Sequence, residues 1–214
     1  MNSAIEIIFQ IAVLIFSVVI HEASHGYAAL ALGDKTAQYA GRLTLNPLKH
    51  IDPMGSVILP IFFLLLGGPV FGWAKPVPYN PYNLRSQKWG PALVGAAGPA
   101  ANIALAVIFG LAVRFAPDIA SPAVTPIVIN FLSIASTIVV LNLVLAFFNL
   151  VPIPPLDGSK VLFALLPYRW YGVQGFLEQY GFLLLLGFIF FSRRWLIPVV
   201  FFFFNLITGT FPFL

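Results

Sequence analysis

Long apolar segments, punctuated by glycine, proline and charged residues, constrain the fold of this chain more than any other feature. Of its 214 residues, 60% are hydrophobic and only 8% are charged, whereas ordinary soluble domains carry about 25% charged residues. An α-helix needs about 20 consecutive apolar residues to cross a bilayer. We therefore predict an all-α polytopic membrane protein that lies in the lipid bilayer, a multi-pass protein of the cell membrane.

The punctuation divides the chain into a small number of long apolar segments. Three of them are predicted to form core helices, and a fourth, near the end of the chain, is interrupted by Arg193-Arg194: about residues 4–32, 91–115, 127–150 and 176–212. The sequence shows neither an internal repeat nor a low-complexity linker. Residues 1–214 are therefore interpreted as a single membrane-embedded domain.

The segment 54–71 is also apolar, but it carries Pro60 and Gly67-Gly68-Pro69. Basic residues lie on both sides of it, and the positive-inside rule places the flanking stretches 33–53 and 72–90 together in the cytoplasm. On this interpretation the segment enters and leaves on one side as a re-entrant element. The alternative is a short helix that spans the membrane, since eighteen residues just reach across a bilayer of about 30 Å.

A short stretch between the apolar segments has a different periodicity. In Arg42-Leu43-Thr44-Leu45-Asn46 the apolar residues alternate with polar ones. Alternation with period two is typical of a strand. The sequence thus predicts a short, membrane-associated β element at 42–46.

The first apolar segment contains the pattern His21-Glu22-Ala23-Ser24-His25. A spacing of four places both imidazoles on one helix face, where they can hold a metal with Glu22 beside them as a base. A carboxylate near the bilayer centre costs about 2.5–3.5 kcal/mol even on the lenient insertion scale, so stability does not explain Glu22. The chain has three histidines and no cysteine, and any metal has to be held by His, Asp or Glu.

Two imidazoles leave such a site one ligand short, because catalytic zinc usually takes three protein ligands and keeps an open position. The third ligand is expected to be an acidic residue or His50. Asp157 stands out because it follows the 127–150 segment closely. If 54–71 does not cross, Asp157 lies on the side where the first helix ends. The alternative interpretation is an Asp-Gly turn that caps a short helix at 159–166.

Other polar residues at membrane depth are candidates for a supporting role. Asn102 needs a partner there and could orient a metal ligand or a substrate carbonyl. Asn142 and Asn149 share one face of the next helix and are candidates for the same role. His50 is more typical of a loop residue than of a metal ligand. The small residues around Asn102 favour close helix packing: Gly95, Gly98, Ala106 and Gly110.

Taken together, these motifs resemble those of the site-2 protease family, zinc metalloproteases that cut within membranes, and of its compact subgroup without added regulatory domains. The resemblance is carried by HEASH and by four further segments: Asn149–Gly158, Gly98-Pro99 with Asn102, Asn46–Pro53 and Gly72–Pro78.

The resemblance implies one zinc ion per chain, with His21, His25 and Asp157 as ligands and Glu22 as general acid and base. It also implies a three-helix catalytic core and transmembrane proteins as substrates. Because a transmembrane helix hides its peptide bonds, the substrate must be unwound, and we expect Leu43 and Leu45 to receive it by strand addition.

A rival function from another class is a metal-binding transporter or receptor that does not hydrolyse anything. Glu22 would be superfluous for metal binding alone, and the segment 176–212 offers almost none of the polar residues that a transport path requires. A nucleic acid partner is excluded, because the net charge of +4 is spread through loops and not gathered into a basic tract.

Overall fold

The computed structural model of the chain describes residues 3–65, 72–116 and 125–210. In these ranges the chain forms seven α-helices: α1 (Ser3–Ala31), α2 (Thr36–Tyr39), α3 (Leu59–Leu65), α4 (Gly90–Phe115), α5 (Thr125–Asn149), α6 (Asp157–Leu165) and α7 (Tyr171–Thr208). Within α1, α4, α5 and α7 lie four stretches long and apolar enough to cross a membrane. The described residues contain no strand, so the all-α prediction is confirmed.

Helix α4 lies at the centre of the fold and packs against α1, α5, α6 and α7. The predicted core segments 4–32, 91–115 and 127–150 correspond to α1, α4 and α5. Small residues on α4 make this packing close, since a Cβ at Gly110 would collide with the side chain of Ile207. Close approach through small residues is the usual way in which membrane helices associate.

The C-terminal apolar segment forms one continuous helix, α7, that runs through Arg193-Arg194 and includes Pro198. Its second half packs against α4 and α5 in a buried apolar cluster: Ala106, Val139, Leu143, Leu196, Val200 and Phe204. The last two residues of the predicted segment 176–212 lie outside the described ranges, as does most of the 115–126 connection.

The predicted β element at 42–46 is wrong, because this stretch is irregular. Its backbone groups bond to partners other than a strand: Arg42 N–H to the carbonyl of Ala37, the Thr44 carbonyl to the His50 ring, and Asn46 N–H to the Thr44 hydroxyl. A two-residue period cannot form a strand where no neighbouring strand offers a ladder of hydrogen bonds. The described residues therefore offer no preformed strand at Leu43 and Leu45, and substrate binding there stays a prediction.

The segment 54–71 begins as a π-helical turn at Pro53–Ile58 and continues into α3, while residues 66–71 lie outside the described ranges. The chain beyond it returns to where the segment starts. Trp73 N–H donates to the Gly55 carbonyl (3.1 Å), and the Ser56 hydroxyl donates to the Trp73 carbonyl (2.8 Å). The entry and the exit of this segment are thus neighbours.

Asp34 fastens the connection before α4 to the end of α1. Helix α1 ends at Ala31 and is followed by Gly33 at φ 107°, a conformation that favours glycine. The Asp34 carboxylate is fully buried and accepts hydrogen bonds from Thr36 N–H, the Thr36 hydroxyl, Asn80 N–H and the Asn83 amide. This one side chain therefore holds residues 80–83 against the end of α1.

We expect Asp34→Asn to lower the free energy of unfolding at pH 7 by about 1–3 kcal/mol, because an amide cannot accept all of these hydrogen bonds. Burial raises the pKa of Asp34, but hydrogen bonds from Thr36, Asn83 and Asn80 lower it further, so the folded pKa lies below the unfolded one. The stabilisation is therefore complete above about pH 4 and lost as the pH falls through the folded pKa.

Unfolding in detergent between pH 3 and 7 measures this difference. The difference in stability between the wild type and Asp34→Asn should narrow as the pH falls below about 4, and the exposed substitution Glu178→Gln should change little at any pH. A gap that stays constant with pH would contradict this role of the Asp34 charge.

Candidate metal centre

Helix α1 presents its two histidines and the glutamate between them from one buried turn. His21 and His25 are 5% and 7% exposed, and Glu22 is half-buried. One ligand atom from each of the three residues lies within 4.8 Å of the others. The spacing of four in sequence thus produces the common face that the pattern predicts.

Each imidazole is oriented by a hydrogen bond from its Nδ1. His25 Nδ1–H donates to the carbonyl of Val94 (2.6 Å), which can only accept. His21 Nδ1–H donates to the side-chain oxygen of Asn102, whose amide nitrogen in turn donates to Ser17 O and Asn142 Oδ1. Each ring is therefore held from its Nδ1 side and directs its Nε2 into the site, as metal-binding histidines do.

Asp157 meets both imidazoles although it lies 132 or more residues further along the chain. Its Oδ2 is 3.1 Å from Nε2 of His21 and 3.1 Å from Nε2 of His25. Asp157 is the first residue of α6, the N-cap is Leu156, and no side-chain cap hydrogen bond is formed there. The capping alternative for Asp157 therefore does not apply.

The Asp157 carboxylate is held from its other side by Lys160, one turn further along α6. Lys160 Nζ donates to Oδ1 at 2.8 Å. Burial raises the pKa of Asp157, but the two imidazoles beside Oδ2 and the charge of Lys160 hold it well below its usual range. Burial lowers the pKa of Lys160, and the charge of Asp157 outweighs that effect and raises it. Both groups are thus charged at neutral pH.

Three glycines let the backbone close around these side chains. A Cβ at Gly98 on α4 would lie within 2.6 Å of Nε2 of both histidines. A Cβ at Gly95 would press on the Asp157 carbonyl and the Lys160 side chain, and one at Gly158 would collide with the Leu150 carbonyl. The small face of α4 therefore shapes the site as well as the helix packing.

The donor set fits zinc. Two ligand atoms of a tetrahedral zinc, each about 2.0–2.1 Å from the ion, lie about 3.3 Å apart, close to the 3.1 Å between Asp157 Oδ2 and each imidazole nitrogen. Two neutral imidazoles and one carboxylate are a usual set for a catalytic zinc site with an open position.

The other predicted residues differ in where the structure places them. Asn102 bonds directly to His21, as described above, and Asn142 belongs to the same buried network. Asn149 donates instead to Leu145 O in its own helix. His50 bonds to the Thr44 carbonyl and does not belong to the cluster of metal ligands identified among the described residues.

Two contacts of the site were missed in the sequence. Lys160 carries a recognisable signal, because it lies three residues after Asp157 at the start of a helix, where the two side chains meet. The contact of Glu22 has no such signal, since its Oε2 accepts a hydrogen bond from the backbone N–H of Val77 at 2.9 Å. Every residue except proline has a backbone N–H, so the residue type does not indicate this contact.

Comparisons with known proteins agree with this chemistry. The family model "Peptidase family M50" matches residues 117–190, which include Asp157. The "Putative zinc metalloprotease YwhC" of Bacillus subtilis is 39% identical over 181 residues, 83% of this chain and 78% of the relative. The "Putative zinc metalloprotease Rip2" of Mycolicibacterium smegmatis is 32% identical over 202 residues, 92% of this chain and 73% of the relative. No solved structure gives a significant match.

Sequence identity at this level, extending over most of both chains, is typical of members of one protein family. The apolar helices α1, α4, α5 and α7 fit a multi-pass protein that works in the bilayer on membrane substrates, and the His21-Glu22-His25 cluster fits one zinc ion. The chain belongs to peptidase family M50, the site-2 protease family, and is an intramembrane zinc metalloprotease.

Proposed function

We propose that this site hydrolyses peptide bonds within or near the transmembrane segments of other membrane proteins, at the cytoplasmic side of the cell membrane. In this proposal His21, His25 and Asp157 hold one zinc ion and Glu22 is the general acid and base. The observation that carries the proposal is the position of Asp157 Oδ2, 3.1 Å from Nε2 of both histidines.

When bound, zinc supplies a Lewis acid that polarises a carbonyl and makes water acidic near neutral pH. The Glu22 carboxylate takes a proton from the attacking water. As the C–N bond breaks, Glu22 delivers that proton to the leaving nitrogen, so that water is added across the peptide bond. His21 and His25 stay fixed in orientation, because the Asn102 side-chain oxygen and the Val94 carbonyl accept hydrogen bonds from their Nδ1–H groups.

Lys160 keeps the Asp157 carboxylate in place. Because its ammonium group bonds to Oδ1, the opposite oxygen, Oδ2, is the one that faces the imidazoles. A carboxylate with one oxygen engaged in this way presents a single donor to a metal. We propose Lys160 as a supporting residue, with Asn102 in the same role for His21.

We propose further that residues 1–214 form one membrane-embedded domain in which 54–71 is re-entrant. The hydrogen bonds between Trp73 and the Gly55–Ser56 turn support this proposal. So does the bond from Arg85 N–H to the Leu32 carbonyl (2.9 Å), which joins the end of the 72–90 stretch to the end of α1. With this topology Asp157 and the end of α1 share one side of the membrane.

Labelling tests the topology directly, because the chain has no cysteine of its own. Single cysteines at Lys35 and Arg85, both exposed, should react with a membrane-impermeant thiol reagent from the cytoplasmic side. A cysteine at Asp118, in the connection between α4 and α5, should react only from the opposite side. Reaction of the Lys35 and Arg85 positions from opposite sides would establish 54–71 as a spanning helix.

Glu22→Gln tests the proteolytic mechanism. This variant keeps the shape of the side chain but removes the base, so we expect cleavage of a transmembrane peptide to fall by about 10²-fold or more. Zinc per chain should stay at the wild-type value, and uncut substrate should remain bound in pull-down assays. Asp157→Ala is the matched control and should lose zinc as well as activity. Wild-type turnover in zinc-loaded Glu22→Gln would remove Glu22 as the general acid and base, whereas a wild-type protein that binds zinc but cleaves no peptide would favour a non-hydrolytic metal-binding protein.

A further inference from the structure

An irregular stretch, residues 73–80, crosses the face of α1 that carries Glu22; we call it the strap. At its middle, the backbone N–H of Val77 donates to Glu22 Oε2 at 2.9 Å. The Val77 side chain is buried and covers Gly26, one helical turn after Glu22, where an added Cβ would lie 3.0 Å from Val77 Cγ1. The strap thus contacts α1 with both its backbone and a side chain.

The strap is fastened on both sides of Val77. Before it, Lys75 N–H donates to the His50 carbonyl (2.9 Å), and Arg42 donates to the Lys75 carbonyl (2.7 Å). After it, Asn80 N–H donates to Asp34 Oδ2 (2.7 Å). A segment held at both ends in this way supports a fixed position for the group at its middle.

Two prolines make the strap stiff around Val77 and leave Val77 the single backbone donor between them. Pro76 and Pro78 have no N–H, and their rings fix φ near −65°. Residues that precede a proline favour extended conformations, which applies to both Lys75 and Val77. Across residues 76–78, the N–H of Val77 is therefore the one backbone donor, and it is directed at Glu22.

A glutamate side chain has three rotatable bonds, and fixing such a side chain in one orientation costs rotamer freedom. A hydrogen bond to a charged acceptor is among the stronger ones in proteins. By holding Oε2, the Val77 N–H restricts the carboxylate and leaves Oε1 free to exchange a proton. Such orientation before the reaction lowers the barrier that a freely rotating base would face.

We infer that the backbone N–H of Val77 is a positioning group that aims the Glu22 carboxylate at the reacting water and the leaving nitrogen. This inference rests on the proposed role of Glu22 as general acid and base. It assigns the Pro-Val-Pro sequence a function in the reaction, as the stiff support of one hydrogen-bond donor. An inhibitory strap, which would have to leave Glu22 before catalysis, predicts the opposite effect on rate.

The test replaces the Val77 amide by an ester, through in vitro translation into liposomes with α-hydroxyisovaleric acid in place of valine. This change removes the N–H and keeps the side chain. We expect kcat for a labelled single-span peptide to fall at least tenfold, while KM, zinc per chain and the thermal midpoint stay at their wild-type values. In a genetically encoded pair, Val77→Pro, which also lacks the N–H, should lower kcat far more than Val77→Ala, which keeps the N–H.

An ester at Trp73, made with indolelactic acid, is the matched control. It also removes one hydrogen bond of the strap, the one to the Gly55 carbonyl, but it does not touch Glu22, so kcat should change less than twofold. Equal losses in the two esters would show that a loosened strap is the cause and would overturn the inference. So would an unchanged or higher kcat in the Val77 ester. A wild-type protein that loads zinc but cleaves no peptide would instead overturn the proposed function.

Discussion

The meeting of Asp157 with His21 and His25 is the interaction on which the rest of the structure depends. A buried carboxylate is costly unless it is paired and hydrogen-bonded. Here both oxygens are engaged, Oδ2 with the two imidazoles and Oδ1 with Lys160. To bring these groups together, α1, α4 and α6 must converge, and they converge through glycine at positions 95, 98 and 158. The contacts that pack these helices are thus the same contacts that assemble the site.

The same close packing accounts for the buried polar network behind the site. Asn102 and Asn142 are fully buried and bond to each other, to Ser17 and to His21. An unpaired amide at such depth would cost several kcal/mol, so a network of this kind is stable only when each member has a partner. It orients the ring of His21 and ties α1, α4 and α5 together, which links the fold to the chemistry.

Sequence patterns predicted the parts of this structure that depend on composition and local spacing. The long helices follow from apolar length, the common face of His21 and His25 follows from a spacing of four, and Gly33 marks the end of α1. The strand at 42–46 failed because a two-residue period says nothing about whether a partner strand exists. The hydrogen bond from Val77 to Glu22 could not be predicted from the sequence, because tertiary packing, and not residue type, places a backbone donor.

Zinc K-edge X-ray absorption on the purified protein tests the composition of the metal site most directly. We predict about one zinc per chain, bound by two imidazole nitrogens near 2.0 Å, which multiple scattering identifies, with oxygen as the remaining ligands. That result would agree with His21, His25 and Asp157 as the ligands. A spectrum with three imidazoles, which would require His50, or with none, would contradict the account.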